Sequence, residues 1–119
     1  MIIELRTRGF SLTPALRAYV ERRLEFALDR HADRVARVRV VVSDVNGPRG
    51  GADKKCRVEM RLRGGASVRS TVVDEDAYVA IGAAAHRAAR ALSRAVHRER
   101  TTTLELLGLA RTLSRPASA

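Results

Sequence analysis

Apolar and polar positions alternate with period two over Ile2 to Arg8, where Ile3, Leu5 and Thr7 oppose Glu4, Arg6 and Arg8. This predicts a half-buried β-strand. The period then lengthens. After a turn over Gly9 to Leu12, Thr13 and Pro14 read as an N-cap and a first helical residue. Leu16, Val20, Leu24, Ala27 and Leu28 form a helical seam that runs to about His31. Val35 to Val45 returns to β-branched residues, with Val38, Val40 and Val42 alternating against Arg37, Arg39 and Val41. Lys55 to Arg63 is the cleanest strand of the chain. Cys56, Val58, Met60 and Leu62 face inward, against outward Arg57, Glu59 and Arg61. Gly64 and Gly65 turn the chain into a fourth strand over Ala66 to Val73. Asp74, Glu75 and Asp76 then place acid at a helix start, where it suits the macrodipole. That second helix extends to about Arg98, with Tyr78, Ile81, Ala85, Ala88, Leu92 and Val96 on its inner side.

The predicted order is β-α-β-β-β-α, an α+β fold. Each strand has one apolar and one polar face, so both helices pack side by side on one face of a four-stranded sheet. Residues 1–100 make the domain. Residues 101–119 are expected to be a partly disordered tail: Leu104, Leu106, Leu107, Leu109 and Leu113 are apolar without a clear cap, and Ser114 to Ala119 has no pattern. Asn46 to Asp53 suits neither strand nor helix and reads as a hairpin connection. It lacks the Gly-Lys-Ser/Thr ending of a phosphate-binding P-loop.

Charge changes the picture. Lys and Arg number 23 against 13 Asp and Glu, for a net charge of +10, and all the cations but Lys54 and Lys55 are arginine. On the second helix Arg87, Arg90, Arg94 and Arg98 recur at spacings of three, four and four, within about 80° of one another. On the first, Arg23 and Arg30 interleave with Tyr19 and Phe26. These two flanks are expected to merge into one continuous positive surface. A planar guanidinium fork binds phosphate through two donors, so the implied partner is a polyanion, nucleic acid before anionic membrane. Aromatics are only 3% and Trp is absent, which argues against a base-stacking platform.

Little in the chain suggests chemistry. Cys56 is a single cysteine on an inward position, read as an inert buried thiol. His86 and His97 stand about 16 Å apart along their helix, too far to chelate one metal. No catalytic residues, metal site, cofactor or small-molecule substrate is expected. No segment has the length to span a bilayer and no leader is evident, so a cytoplasmic protein without a membrane partner is expected. Tyr19 and Phe26 are read as edge-of-core packing. Arg37, Arg39, Arg57, Arg61 and Arg63 are read as an exposed sheet face that discourages edge pairing, with a second RNA or protein surface as the alternative.

Three stretches carry a resemblance. Ile3-Glu4-Leu5-Arg6 is followed by Leu12-Thr13-Pro14-Ala15-Leu16-Arg17-Ala18-Tyr19-Val20-Glu21. The Val38 to Asp44 strand and its long loop end in Asp53-Lys54-Lys55-Cys56-Arg57-Val58. Asp74-Glu75-Asp76-Ala77-Tyr78-Val79-Ala80-Ile81 leads into the basic helix. In this order and spacing, from Met1 to about Arg100, the chain resembles the ribosome hibernation-promoting factors, also called ribosome-associated inhibitors or sigma-54 modulation proteins, in their short form. The resemblance implies a stress or stationary-phase factor that binds small-subunit rRNA near the decoding centre and sterically blocks mRNA and tRNA. By position it implies rRNA contacts from Arg23, Arg30, Arg87, Arg90, Arg94 and Arg98, joined at the loop edge by Lys54 and Lys55. Gly82 departs from the family pattern, which has a carboxylate after Ala-Ile, and suggests close packing there. Ribosome pairing through the second domain of long forms is not expected of this chain. Two alternatives also fit the sequence: a general RNA-binding module like a double-stranded-RNA-binding domain, and a protein-interaction modulator acting on a sigma factor. Self-association is left open.

Overall fold

The computed structural model describes residues 1–9, 11–45 and 53–114, with side chains through Arg111. Four strands, β1 (Ile2–Arg8), β2 (Val35–Asp44), β3 (Lys54–Leu62) and β4 (Ser67–Asp74), form one sheet in the order β1-β2-β3-β4. β1 and β2 run parallel, and the other pairs are antiparallel. The parallel pair needs a crossover, which α1 (Pro14–Leu28) and a 3-10 turn over Asp29–Arg34 provide. α2 (Ala77–Ser114) follows β4 and lies over β3 and β4. The β-α-β-β-β-α order and α+β class predicted from the sequence are those observed.

Local chemistry explains the element ends. The Thr13 hydroxyl accepts from the Leu16 amide at 3.1 Å and Pro14 opens the first turn of α1. Asp76 accepts from the Tyr78 amide at 2.8 Å and opens α2. The β3–β4 hairpin needs a left-handed residue, supplied by Gly65 at φ +94°, whose amide donates to the Leu62 carbonyl. α1 stops at Leu28, short of the expected His31, because Leu28 itself leaves the α region at φ −98°, ψ 1° and the chain tightens into the 3-10 turn. Arg30 therefore sits in the 3-10 turn and not on α1.

The core is one layer between sheet and helices. The valines at 38, 40, 42 and 58, with Cys56 and Met60, face Leu16, Val20, Leu24 and Leu28 of α1 and Ile81, Leu92 and Val96 of α2. Buried Ala80, Ala84, Ala85 and Ala88 let α2 approach closely, and the Ser70 hydroxyl donates to the Ala84 carbonyl at 3.3 Å. Burial pushes the Cys56 thiol up to about 12, so it stays protonated at neutral pH. At pH 8 iodoacetamide should leave the native thiol unmodified and label it fully once urea unfolds the chain.

One boundary moves far. α2 does not end near Arg98 but continues unbroken to Ser114, a 38-residue helix. Thr101 to Thr103 have only modestly poor helix propensity, and Leu104, Glu105, Leu106 and Leu107 restore it. The expected tail is thus helical as far as Ser114, with residues 101–111 all exposed. Residues 115–119, the Asn46 to Ala52 part of the long loop, and Phe10 in the first turn lie outside the described residues.

Candidate nucleic-acid interface

The outer surface of the helical layer is built on two amphipathic helices. α2 carries no Asp or Glu between Ala77 and Arg98. Its inward positions are filled by alanines and branched apolar residues, which leaves its arginines on the outer side. Arg87, Arg90, Arg94 and Arg98 are all exposed, as are Arg23 and Arg30. Among the described residues none of these six has a carboxylate within ion-pair distance. Five of these guanidiniums stand on α1 and α2, and none is neutralised by a carboxylate among the described residues, so an external anion can take that place.

Two contacts place the ends of this basic surface. Arg23 and Tyr19 of α1 lie against α2 at Gly82, where an added Cβ would meet the Arg23 guanidinium at 3.1 Å and the Tyr19 hydroxyl at 3.5 Å. The Tyr19 hydroxyl donates to the Tyr78 carbonyl, and the two rings stack edge-on at 4.8 Å. Arg87 leans the other way and donates to the Thr71 carbonyl on β4 at 3.3 Å. Gly82 and Arg87 differ by five residues, about 140° around the helix. On the same scale Arg90 lies about 80° and Arg94 about 120° from Gly82, so the stripe starts on the outer face of α2, beside exposed His86 and His97, and ends with Arg87 on the β4 flank. Helical periodicity places residues on one flank or another, but it does not say on which flank the neighbouring helix lies.

Gly82 is the contact that brings Arg23 over α2. Helix-interior glycine costs up to about 1 kcal/mol against alanine, and the nearest neighbour of an added methyl is the far end of the flexible Arg23 side chain, with the Tyr19 hydroxyl at ordinary contact distance. Gly82→Ala should therefore raise stability by about 0.5–1 kcal/mol, read as a higher urea midpoint. A lower midpoint would show that Arg23 is locked in place.

Lys54 and Lys55, expected at the loop edge, differ in their surroundings. The Lys54 ammonium donates to Asp53 at 3.0 Å and Asp44 at 3.1 Å, across the root of the long loop. Those bonds, Asp53 first, raise its pKa above 10.5. It is an internal clamp, and its carboxylate partners neutralise it. Lys55 is on the opposite face of the sheet, in register with Ser43 and Val73. Strand alternation separates the two neighbours. The Lys54 pairing is complete below pH 10.5 and is lost as pH rises through the raised native value. From pH 9 to about 12 the unfolded chain also ionises Cys56 while the native chain holds it protonated. Both favour unfolding at high pH, so the urea midpoint should fall steadily above pH 9, and Cys56→Ala should flatten the first part of that fall.

Phe26 is not at the core edge. It is 83% exposed on α1, beside the Arg23 and Arg30 strip, whereas Tyr19 packs at the core edge as expected. The signal was its angle: Phe26 lies two residues from both Leu24 and Leu28, about 160° around the helix from the buried seam they form.

A family model described as sigma 54 modulation protein / S30EA ribosomal protein matches residues 3–100. The chain belongs to this family. The match ends where α2 leaves the domain, so the helical extension lies beyond it. Two solved structures similar to this sigma 54 modulation / S30EA chain show the same architecture. The N-terminal domain of Protein Y from Thermus thermophilus is 32% identical, with a TM-score of 0.65, covering 79% of this chain and 98% of that one. A ribosomal subunit interface protein from Coxiella burnetii is 19% identical, with a TM-score of 0.67, covering 82% and 99%, and shows the fold alone. No curated protein sequence matches significantly. The family is ribosome-associated. Among the described residues no group of His, Cys, Asp and Glu is placed to hold a metal, and no helix is long and apolar enough to cross a membrane.

Proposed function

We propose that this protein binds small-subunit rRNA near the decoding centre through its helical layer and blocks mRNA and tRNA by occupying their path. The observation that carries this reading is the set of six exposed arginines without a carboxylate partner among the described residues, on a helix layer whose longest member has no acid over 22 consecutive residues from Ala77 to Arg98. Family membership and the solved relatives support it. The mechanism is charge and shape. Guanidiniums displace counterions from closely spaced phosphates, and such contacts position a protein without reading sequence. The stripe runs from the outer face of α2 to its β4 flank, and Arg23 reaches over α2 at Gly82, so the cations present a broad surface to a phosphate backbone. Phe26 adds a ring on which an unpaired base stacks. No bond is made or broken, so the protein acts as a stoichiometric plug in the cytoplasm under stress or in stationary phase.

The experiment is titration of the protein into a translation reaction of known ribosome concentration, with sucrose-gradient sedimentation alongside. Inhibition should saturate near one protein per ribosome, and the protein should co-migrate with small subunits. With about six phosphate contacts, log affinity should fall with log salt at a slope of about −4 to −5. Spread of the protein over free RNA, with translation unaffected at tenfold excess, would overturn the reading.

A further inference from the structure

The sheet face turned away from the helices is uncovered among the described residues, and its charge is lopsided. Strand register sets rows across it. Arg8, Ser43, Lys55 and Val73 form one row; Arg6, Val41, Arg57 and Thr71 form the next. Glu4, Arg39, Glu59 and Arg69 follow, and then Ile2, Arg37, Arg61 and Ser67. In these rows eight cations share the face with two carboxylates. Solubility and protection from edge pairing are met by mixed signs or a few lysines, and neither calls for a four-to-one excess of mostly arginine.

The two carboxylates sit where they hold arginines in position. Glu4 lies 3.6 Å from both Arg37 and Arg39. Glu59 lies 2.7 Å from Arg57 and 3.4 Å from Arg69. Arg6, Arg8, Lys55 and Arg61 have no carboxylate partner among the described residues. Arg37, Arg39, Arg61 and Arg69 line an open groove that Glu59 also borders.

We propose that this open sheet face is a second binding surface for the phosphate backbone of RNA, opposite the helical one, so that one chain holds two RNA segments at once. Side chains on one face recur about every 6.8 Å along a strand and about 4.8 Å between strands, which fixes the cations in a two-dimensional array. A preset array engages several phosphates with little ordering cost. The face carries no aromatic residue in these rows, so it offers no platform for unpaired bases, and its complement is the backbone of helical RNA, bound without regard to sequence. Its apolar residues Ile2, Val41 and Val73 stand in separate rows and make no patch to enter a lipid surface. The sheet face would bind RNA whether or not the helical surface is the ribosomal one.

The test uses the full chain and a 20-base-pair RNA duplex of arbitrary sequence. Arg37→Gln/Arg61→Gln/Arg69→Gln removes charge from the sheet face, and Arg87→Gln/Arg90→Gln/Arg94→Gln removes it from α2. The wild-type chain should bind two duplexes and bring a bead-bound and a fluorescent duplex together. Each triple variant should bind one and lose that bridging, and the sheet variant's salt slope should be less steep by about 2–3. Arg-to-Lys replacement at the same three sheet positions should restore bridging, which loss of folding would not allow. Unchanged stoichiometry and slope in the sheet variant would overturn the proposal. So would sheet-dependent capture by phosphatidylserine vesicles with duplex binding intact. Failure of ribosome co-sedimentation with two-duplex binding preserved would sink the proposed function and leave this surface standing.

Discussion

Arg87→Glu/Arg90→Glu/Arg94→Glu should abolish co-sedimentation with ribosomes while leaving the fold intact. All three side chains are exposed and none is ion-paired among the described residues, so the fold loses only the Arg87 bond to the Thr71 carbonyl. Exposed substitutions of this kind stay within about 0.5 kcal/mol each. Binding is a different matter. A charge-assisted hydrogen bond is worth about 1.5–3 kcal/mol, and each replacement also brings a like charge against phosphate. Together they should cost on the order of a thousand-fold or more in affinity at fixed salt. Arg17→Glu is the control: Arg17 already has Glu21 at 3.9 Å and lies about 160° around α1 from Tyr19, which packs toward α2. Equal retention of the triple variant and the control in the ribosomal fractions would move the binding surface off α2.

Leu24→Ala should be the most damaging single truncation. Leu24 is 1% exposed at the middle of α1, with Val20 and Leu28 one turn to either side and the sheet valines beneath. Leucine-to-alanine changes at such sites cost about 3–5 kcal/mol, transfer free energy plus the cavity. A domain of this size has only about 5–15 kcal/mol in total, so the thermal midpoint should drop by about 15 °C or more. α1 is 15 residues long and could not persist without that seam. The measurement is urea unfolding at constant slope. A cost below about 1 kcal/mol would mean that α1 is not integral to the core.

The strands were legible because the inward valines of β2 and β3 alternate with outward positions rich in arginine, and the cap residues Thr13 and Asp76 announce themselves by type. The length of α2 was not. Three threonines weaken a helix without ending it, and with no proline or cap after them the rest of the helix stays in register. Of the candidate site residues, the α2 arginines lie on the outer surface as their spacing required, because the stripe and the apolar seam share one helix. The relation between that stripe and Arg23 was hidden, since it depends on which side of α2 the first helix packs. The pairing of Lys54 was hidden for a similar reason: its partners Asp44 and Asp53 converge only when the strand ends meet across the loop. Phe26 needed only its angle around α1, and its chemistry suggested the core.

The 38 residues of α2 span about 57 Å, and the molecule measures 77 Å along its longest axis against 24 and 18 Å across. Its final turns, from Thr101 to Ser114, project as a stiff arm about 20 Å long. An arm fixes bearing as well as reach. Whatever its leucine-bearing tip meets is held clear of the globular body, at an angle dictated by how Ile81 and Leu92 seat the other end.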